Sequence, residues 1–203
     1  MTTRFPSVAA GAALAALLTL PAAVEAQDER SDVGVQASFT RYGEFDESEI
    51  GLGLKLGHRL ARQLALDAEL NLEPGGLGER SFSSNRFEAL AGLRLGLDLQ
   101  RSGAYLTLRG GVSRFAAAPE PIPCIAIFPP PLACVLAEGK TLPAFGFGAG
   151  FQALVGERAV LRLEIGDQML RYPGPAFAED RAIEDESFWR HNLRLTAGVG
   201  WRF

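Results

Sequence analysis

Histidine, cysteine, methionine and tryptophan each occur only twice in the 203 residues. His58 has no second metal ligand at a useful spacing, and no metal or cofactor is expected. Basic residues are not in excess either. With 20 Lys+Arg against 24 Asp+Glu the formal net charge is −4, which lacks the electrostatic footprint of a nucleic-acid partner. Beyond Leu20 no window reaches the roughly 18 continuous apolar residues of a helical membrane span. Charged residues, at 22%, are too few for a disordered chain.

The first 26 residues form a separate segment. Arg4 supplies a positive charge, Val8 to Leu20 an apolar run too short to span as a helix, and Val24-Glu25-Ala26 a small-residue cleavage site before Gln27. Residues 1–26 are therefore expected to be a cleavable signal peptide, and residues 27–203 one β-barrel domain. Its removal takes away Arg4 and Glu25, leaving the net charge at −4. Export would also permit a disulfide between Cys124 and Cys134.

What the mature chain has in abundance is alternation. Eight runs repeat with period 2. In the first, Val33, Val35, Ala37 and Phe39 oppose Gly34, Gln36, Ser38 and Thr40; in the second, Ile50, Leu52, Leu54 and Leu56 oppose Gly51, Gly53, Lys55 and Gly57. The third sets Leu64 to Leu72 against Ala65, Asp67, Glu69 and Asn71, and the fourth Phe87 to Leu97 against Glu88, Leu90, Gly92, Arg94, Gly96 and Asp98. Leu106, Leu108 and Val112 oppose Tyr105, Thr107 and Arg109 in the fifth, and Phe145, Phe147 and Phe151 oppose Gly146, Gly148 and Gly150 in the sixth. The seventh places Leu161, Leu163 and Ile165 against Arg162, Glu164, Gly166 and Gln168. Turn signals between the runs read as short connections after the second, fourth and sixth, with long ones elsewhere, including a Pro-rich loop from Ala116 to about Thr141.

Period 2 alone does not say which face is inside, because a soluble barrel would bury the apolar stripe. The glycines decide. They crowd the polar stripe, where on a water-exposed face they would cost stability without any packing return. Inside a narrow barrel they make room for long neighbours. Lys55, Arg94, Arg109, Arg162 and Arg194, with Asp67, Glu69, Glu88 and Glu164, are the expected lumen charge network, and buried charges persist only when paired. A plugged interior is therefore expected. Phe39, Phe87, Phe145, Phe147 and Trp189 lie on the outward face near the long loops, with Trp201 and Phe203 at the other end, like two aromatic girdles. Asp167 alone breaks the outward pattern, which calls for a bulge at Gly166 or a position above the hydrocarbon.

The final run carries a resemblance. Leu193, Leu195, Ala197, Val199, Trp201 and Phe203 alternate to an aromatic carboxy-terminus, and with the seven other runs this resembles the small eight-stranded bacterial outer-membrane barrels of the OmpA, OmpX and OmpW-like group. The resemblance implies an all-β fold, an eight-stranded antiparallel up-and-down transmembrane β-barrel, in the bacterial outer membrane. It further implies that Leu195, Val199, Trp201 and Phe203 form an assembly signal for the barrel-assembly machinery, and that the partners are outer-membrane lipids and lipopolysaccharide around a monomer. Members of this group serve as structural, adhesion or resistance proteins, and some pass small hydrophobic compounds. The expectation is thus a non-enzymatic surface protein, with a narrow channel for hydrophobic compounds or a lipid A-modifying enzyme as alternatives.

Individual residues refine these choices. Arg41, Arg114 and Arg171 fall on outward parity at upper strand ends, where guanidinium groups could contact glycolipid phosphates or snorkel. Cys124 and Cys134 bracket a loop whose Ile125, Ile127, Phe128 and Leu132 would pack over the barrel mouth or form a contact patch. Ser187, His191 and Asp185 suggest a triad, but Ser187 and His191 lie about 13 Å apart along a strand, beyond hydrogen-bond reach. Outer-membrane lipid A deacylases pair a strand histidine with a serine two residues on, and Leu193 stands at that position. The acidic cluster Glu179, Asp180, Glu184, Asp185 and Glu186 lacks calcium-loop spacing and reads as a solvated loop.

Overall fold

Every one of the eight alternating runs is a strand in the computed structural model, which describes residues 30–74, 85–100, 102–118, 132–174 and 187–203. The strands are β1 (Ser31–Tyr42), β2 (Glu47–Arg59), β3 (Leu64–Glu73), β4 (Arg86–Gly96), β5 (Gly103–Phe115), β6 (Lys140–Val155), β7 (Ala159–Tyr172) and β8 (Phe188–Arg202). They pair in chain order, all antiparallel, and β8 returns to β1 to close the barrel. Closure satisfies both edges of every strand, which a membrane-spanning sheet requires.

The register fixes the barrel's shape. From Ser48 of β2 the directly paired residues run through Arg41, Leu193, Asp167, Phe147, Leu108, Leu93 and Leu66, and return to β2 at His58. That stagger of ten residues over eight strands corresponds to a tilt of about 40° and a backbone radius of about 8 Å. A barrel so narrow has room inside for side chains and little else.

Burial is inverted relative to a water-soluble protein. Leu52, Leu106, Leu163 and Trp201 are more than half exposed on the outer face, while Glu69, Asp67, Arg94 and Lys55 are buried within. The lumen glycines create that interior space. A Cβ on Gly57 would stand 2.5 Å from Asp32 Oδ2 and 2.8 Å from Arg94 Nη2, and one on Gly150 would stand 2.5 Å from the Tyr105 ring.

Three expectations need correction, and one open alternative, the bulge at Gly166, is decided. The connection from β1 to β2 covers only 43–46, with Asp46 at a φ of 49°, so the first outer loop is no longer than the turn at 60–63 between β2 and β3. The polar letters of this segment continue into β2, because Glu47 and Ser48 pair with Tyr42 and Arg41. The expected loop from Ala116 to Thr141 contains a helix, α1 (Leu132–Ala137), and gives way to β6 at Lys140. Leu132 and Leu136 form one face of α1 and are buried in the barrel mouth, and Gly139 at a φ of 88° follows its end. Proline before it and only one and a half turns of length hid the 3.6 period. No bulge occurs at Gly166: the β6–β7 ladder runs without interruption through Gly148↔Gly166 and Phe147↔Asp167. The strand-four assignment of Leu97 and Asp98 also fails, since β4 ends at Gly96 and Asp98 pairs with Arg62 outside the lumen.

Two apolar clusters close the ends. At the long-loop end Tyr42, Leu90, Phe115, Leu142, Leu170 and Tyr172 point inward around Leu132 and Leu136 of α1. At the short-turn end Leu99 folds back onto Ala65 and Tyr105. Its carbonyl accepts hydrogen bonds from Gln152 Nε2 at 3.0 Å and Arg202 Nη2 at 2.9 Å.

Candidate functional site

Between the two clusters the lumen is a stack of ion pairs, set there by strand parity. Near the short-turn end Asp32 of β1 accepts from Arg94 at 3.1 Å and from Arg162 at 2.6 Å. One level up, Arg109 of β5 reaches Asp67 at 2.7 Å, Glu164 at 2.6 Å and Glu69 at 3.5 Å. Lys55 stands beside the same carboxylates, 3.2 Å from Glu164 and 3.6 Å from Asp67. Arg194 then links Glu69 at 2.8 Å to Glu88 at 2.7 Å, and Arg86 pairs with Glu73 at 2.8 Å below the apolar mouth. All nine charged residues expected in the lumen therefore lie inside it, each in contact with at least one opposite charge.

Sequence reasoning missed several members. Asp32 and Arg202 have the inward parity of β1 and β8, and that parity was the available signal. Glu73 and Arg86 border a Gly/Ser-rich segment and so read as loop, yet they are a cross-strand pair extending β3 and β4. Uncharged amides join the stack: Gln36 donates to Glu69 and Asn71, Asn71 donates to Glu88, and Gln168 also donates to Glu88. Such links spread each carboxylate's hydrogen bonding over three or four strands, which costs less than a lone pair in low dielectric.

Among the described residues, two small voids lie beside these ion pairs. One cavity of about 20 Å³ lies against Gly146 and Gly166 beside Arg109, Glu164, Gln168 and Arg194, and another of about 10 Å³ lies beside Lys55 and Arg162. Each has room for one water molecule at most. An apolar groove does exist, but on the outer wall, where Ala37 of β1 faces Ala197 of β8 between larger neighbours.

Outward polar residues sit near the long-loop end. Arg41 pairs with Asp46 at 2.7 Å, Arg114 donates to Thr141 Oγ1 at 3.1 Å, and Arg171 donates to Ser187 Oγ at 3.0 Å. They belong to β1, β5 and β7, and the structure brings none of them together. Asp167 finds a partner of its own: its carboxylate meets His191 Nδ1 and accepts the backbone N–H of Asn192 at 3.1 Å, so the outward acid is hydrogen-bonded across the β7–β8 seam. With His191 held there and Ser187 on Arg171, no triad forms among the described residues. Among the described residues no three metal-ligating side chains are grouped. At the chain's end Leu195, Val199, Trp201 and Phe203 all face outward, 41 to 54% exposed.

Leu132 is buried in the mouth, whereas Ile125, Ile127 and Phe128 lie outside the described residues. So do residues 1–26, Cys124 and the acidic cluster of Glu179, Asp180, Glu184, Asp185 and Glu186. Cys134 is in α1, and its bridge to Cys124 stays a proposal.

No protein-family model matches the sequence, and no curated protein does. Solved structures do. Neisserial surface protein A is 13% identical with a TM-score of 0.57, covering 87% of this chain and 98% of that one. The N-terminal β-barrel domain of Pseudomonas aeruginosa OprF is 13% identical with a TM-score of 0.46, covering 85% and 97%. Ail of Yersinia pestis, at 13% identity and a TM-score of 0.46, covers 86% and 97%. The chain therefore has the fold of the small eight-stranded outer-membrane barrels.

Proposed function

We propose, with that fold as the premise, that the chain is a non-enzymatic integral protein of the bacterial outer membrane, exported by residues 1–26, whose plugged polar lumen serves as a rigid post for its surface loops. Its role is structural, adhesive or protective rather than catalytic. The observation that carries this reading is the arrangement of Arg109: one guanidinium tied to Asp67, Glu69 and Glu164 spans the lumen at mid-height, with apolar clusters above and below. Charges fixed to each other across a barrel of about 8 Å radius leave nothing free to conduct ions. A conduit for hydrophobic compounds would need an apolar lumen, and the only apolar inward stretches among the described residues are the two closed ends.

Lipid contacts complete the reading. Arg41, Arg114 and Arg171, on the outer wall near the long-loop end, would lie at the level of lipid headgroups and fork onto phosphates of lipopolysaccharide. The terminal residues Leu195, Val199, Trp201 and Phe203 would present the outward face read by the barrel-assembly machinery, and the barrel would act as a monomer. The test is planar-bilayer recording of purified, folded protein, with unboiled and boiled samples compared on gels. A heat-shifted protein without steady conductance supports the reading. Stable single-channel steps from the unaltered chain would refute the plug, and a soluble protein without a heat shift would refute the membrane placement.

A further inference from the structure

Opposite charges are not evenly shared along the lumen. In its middle and upper parts Lys55, Arg109, Arg194 and Arg86 meet at least as many carboxylates. At the short-turn end Asp32 is the one buried acid among the described residues, 3.1 Å from Arg94 and 2.6 Å from Arg162. Arg202, buried beside them, donates to the carbonyls of Gln100 at 2.8 Å and Leu99 at 2.9 Å and to no carboxylate among the described residues. Its charge feels Arg162, Arg59 and Arg94 against Asp32. Three buried cations thus share one buried acid.

The same guanidinium groups have donors to spare. Nε and Nη1 of Arg94 and Nε and Nη2 of Arg162 have no hydrogen-bond partner within the protein, although the two residues are 2% and 6% exposed. Buried donors without acceptors are rare and costly, more so on a charged group. Of the two small voids, the one of about 10 Å³ adjoins this end. It is lined by Lys55, Arg162, Gln36 and Thr196 and by strand glycines, with no carboxylate among the described residues. The void of about 20 Å³ differs, because Glu164 lines it together with Arg109 and Arg194. An anion is repelled by that acid and drawn to the first void, where only cations and neutral groups face it.

We propose that the void beside Lys55 and Arg162 is a halide site that holds one chloride ion. Chloride is little larger than the single water that the void admits, and the flexible end of Lys55 can yield the difference. An anion of several atoms, such as phosphate, is too large for it. The ion would accept from Arg162 and Lys55 and offset part of the excess positive charge at the short-turn end. The site goes beyond the post reading and does not depend on conduction, because one ion held among paired side chains is not a path.

The direct test is diffraction from crystals of the folded protein grown in bromide, whose anomalous signal separates the ion from water. A peak is expected beside Lys55 and Arg162. No peak there, or signal only at exposed arginines such as Arg62 and Arg158, which would mean an adventitious ion only, overturns the proposal. An independent readout is urea unfolding in lipid vesicles, in chloride or in gluconate at equal ionic strength. A site with a dissociation constant of about 20 mM lowers the unfolding equilibrium constant about tenfold in about 200 mM chloride. Gly200→Ala places a Cβ 3.7 Å from Arg162 Nη1 and 3.2 Å from the Val33 carbonyl oxygen, filling the void without removing a charge, and should abolish that preference. Gly146→Ala, whose Cβ at the other void would meet the Asp167 carbonyl oxygen at 3.9 Å and Leu90 at 4.0 Å, should keep it. Equal unfolding in the two salts, or a chloride preference that survives Gly200→Ala, would also overturn the proposal. Those outcomes leave the plug untouched, which bilayer recording decides separately.

Discussion

Replacing Arg109 with methionine removes the one side chain that touches three carboxylates at once. Asp67 then keeps Lys55 at 3.6 Å, Glu164 keeps Lys55 at 3.2 Å, and Glu69 keeps Arg194 at 2.8 Å. Three anions that had three cations among them now share two, and all are 9% exposed or less. Removing one partner of a buried pair costs about 3 to 5 kcal/mol, and the surviving contacts put Arg109→Met at the lower end, about 3 kcal/mol. That is roughly a hundredfold in the unfolding equilibrium. Urea unfolding of the protein in lipid vesicles, followed by the fluorescence of Trp189 and Trp201, reads this directly. The double variant Arg109→Met with Glu164→Gln restores the balance of charge and should recover about half of the loss. A cost below about 0.5 kcal/mol for Arg109→Met, with no recovery in the double variant, would mean that the lumen is wet enough to screen its charges. The reasoning from buried pairs would then be refuted.

Other perturbations separate the wall from the interior. Leu163→Arg, on a residue 63% exposed at mid-strand in β7, should cost about 2 to 4 kcal/mol in a bilayer, whereas a water-facing wall would accept it; the same urea titration distinguishes the two. Gly57→Ala forces a Cβ to within 2.5 Å of Asp32 and 2.8 Å of Arg94, so a loss of about 1 to 3 kcal/mol is expected. Gly110→Ala, whose Cβ would meet only Phe145 at 3.9 Å, should stay within about 0.5 kcal/mol, and equal effects at the two glycines would contradict the packing described. Cys134→Ala should release the expected bridge to Cys124 and lower stability by at most about 3 kcal/mol while the barrel persists. Peptide mass spectrometry without reductant should find the two cysteines joined, and free thiols at both would remove that expectation.

The strands were legible because a strand's two faces alternate residue by residue, and the two environments differ sharply. Lipid on one side and a crowded polar lumen on the other write a period of 2 that survives even through the glycine-rich β6. The same parity identified the nine lumen charges, since Lys55, Arg94 and Glu164 could not face hydrocarbon. It failed at ends and edges. Glu73 and Arg86 look like loop from neighbouring letters and are paired only because β3 and β4 continue to their tips. In α1 two leucines four apart carry too little period to stand out, and the barrel mouth gives them their meaning.

Sequence by itself therefore determined the class of structure, the number of strands, the direction of most strand side chains and the identity of most interior charges. These depend on local periodicity and on the cost of placing a charge in lipid, both properties of single positions. Tertiary structure alone decided the stagger of ten residues, which sets the radius and hence which charges meet. It decided that Arg109 rather than Arg194 bridges Asp67 and Glu164, that Asp167 is accommodated by His191 rather than by a bulge, and that α1 and Leu99 close the two ends. Partners separated by more than a hundred residues, as Arg194 and Glu69 are, become neighbours only when the barrel closes, and no local pattern records that geometry.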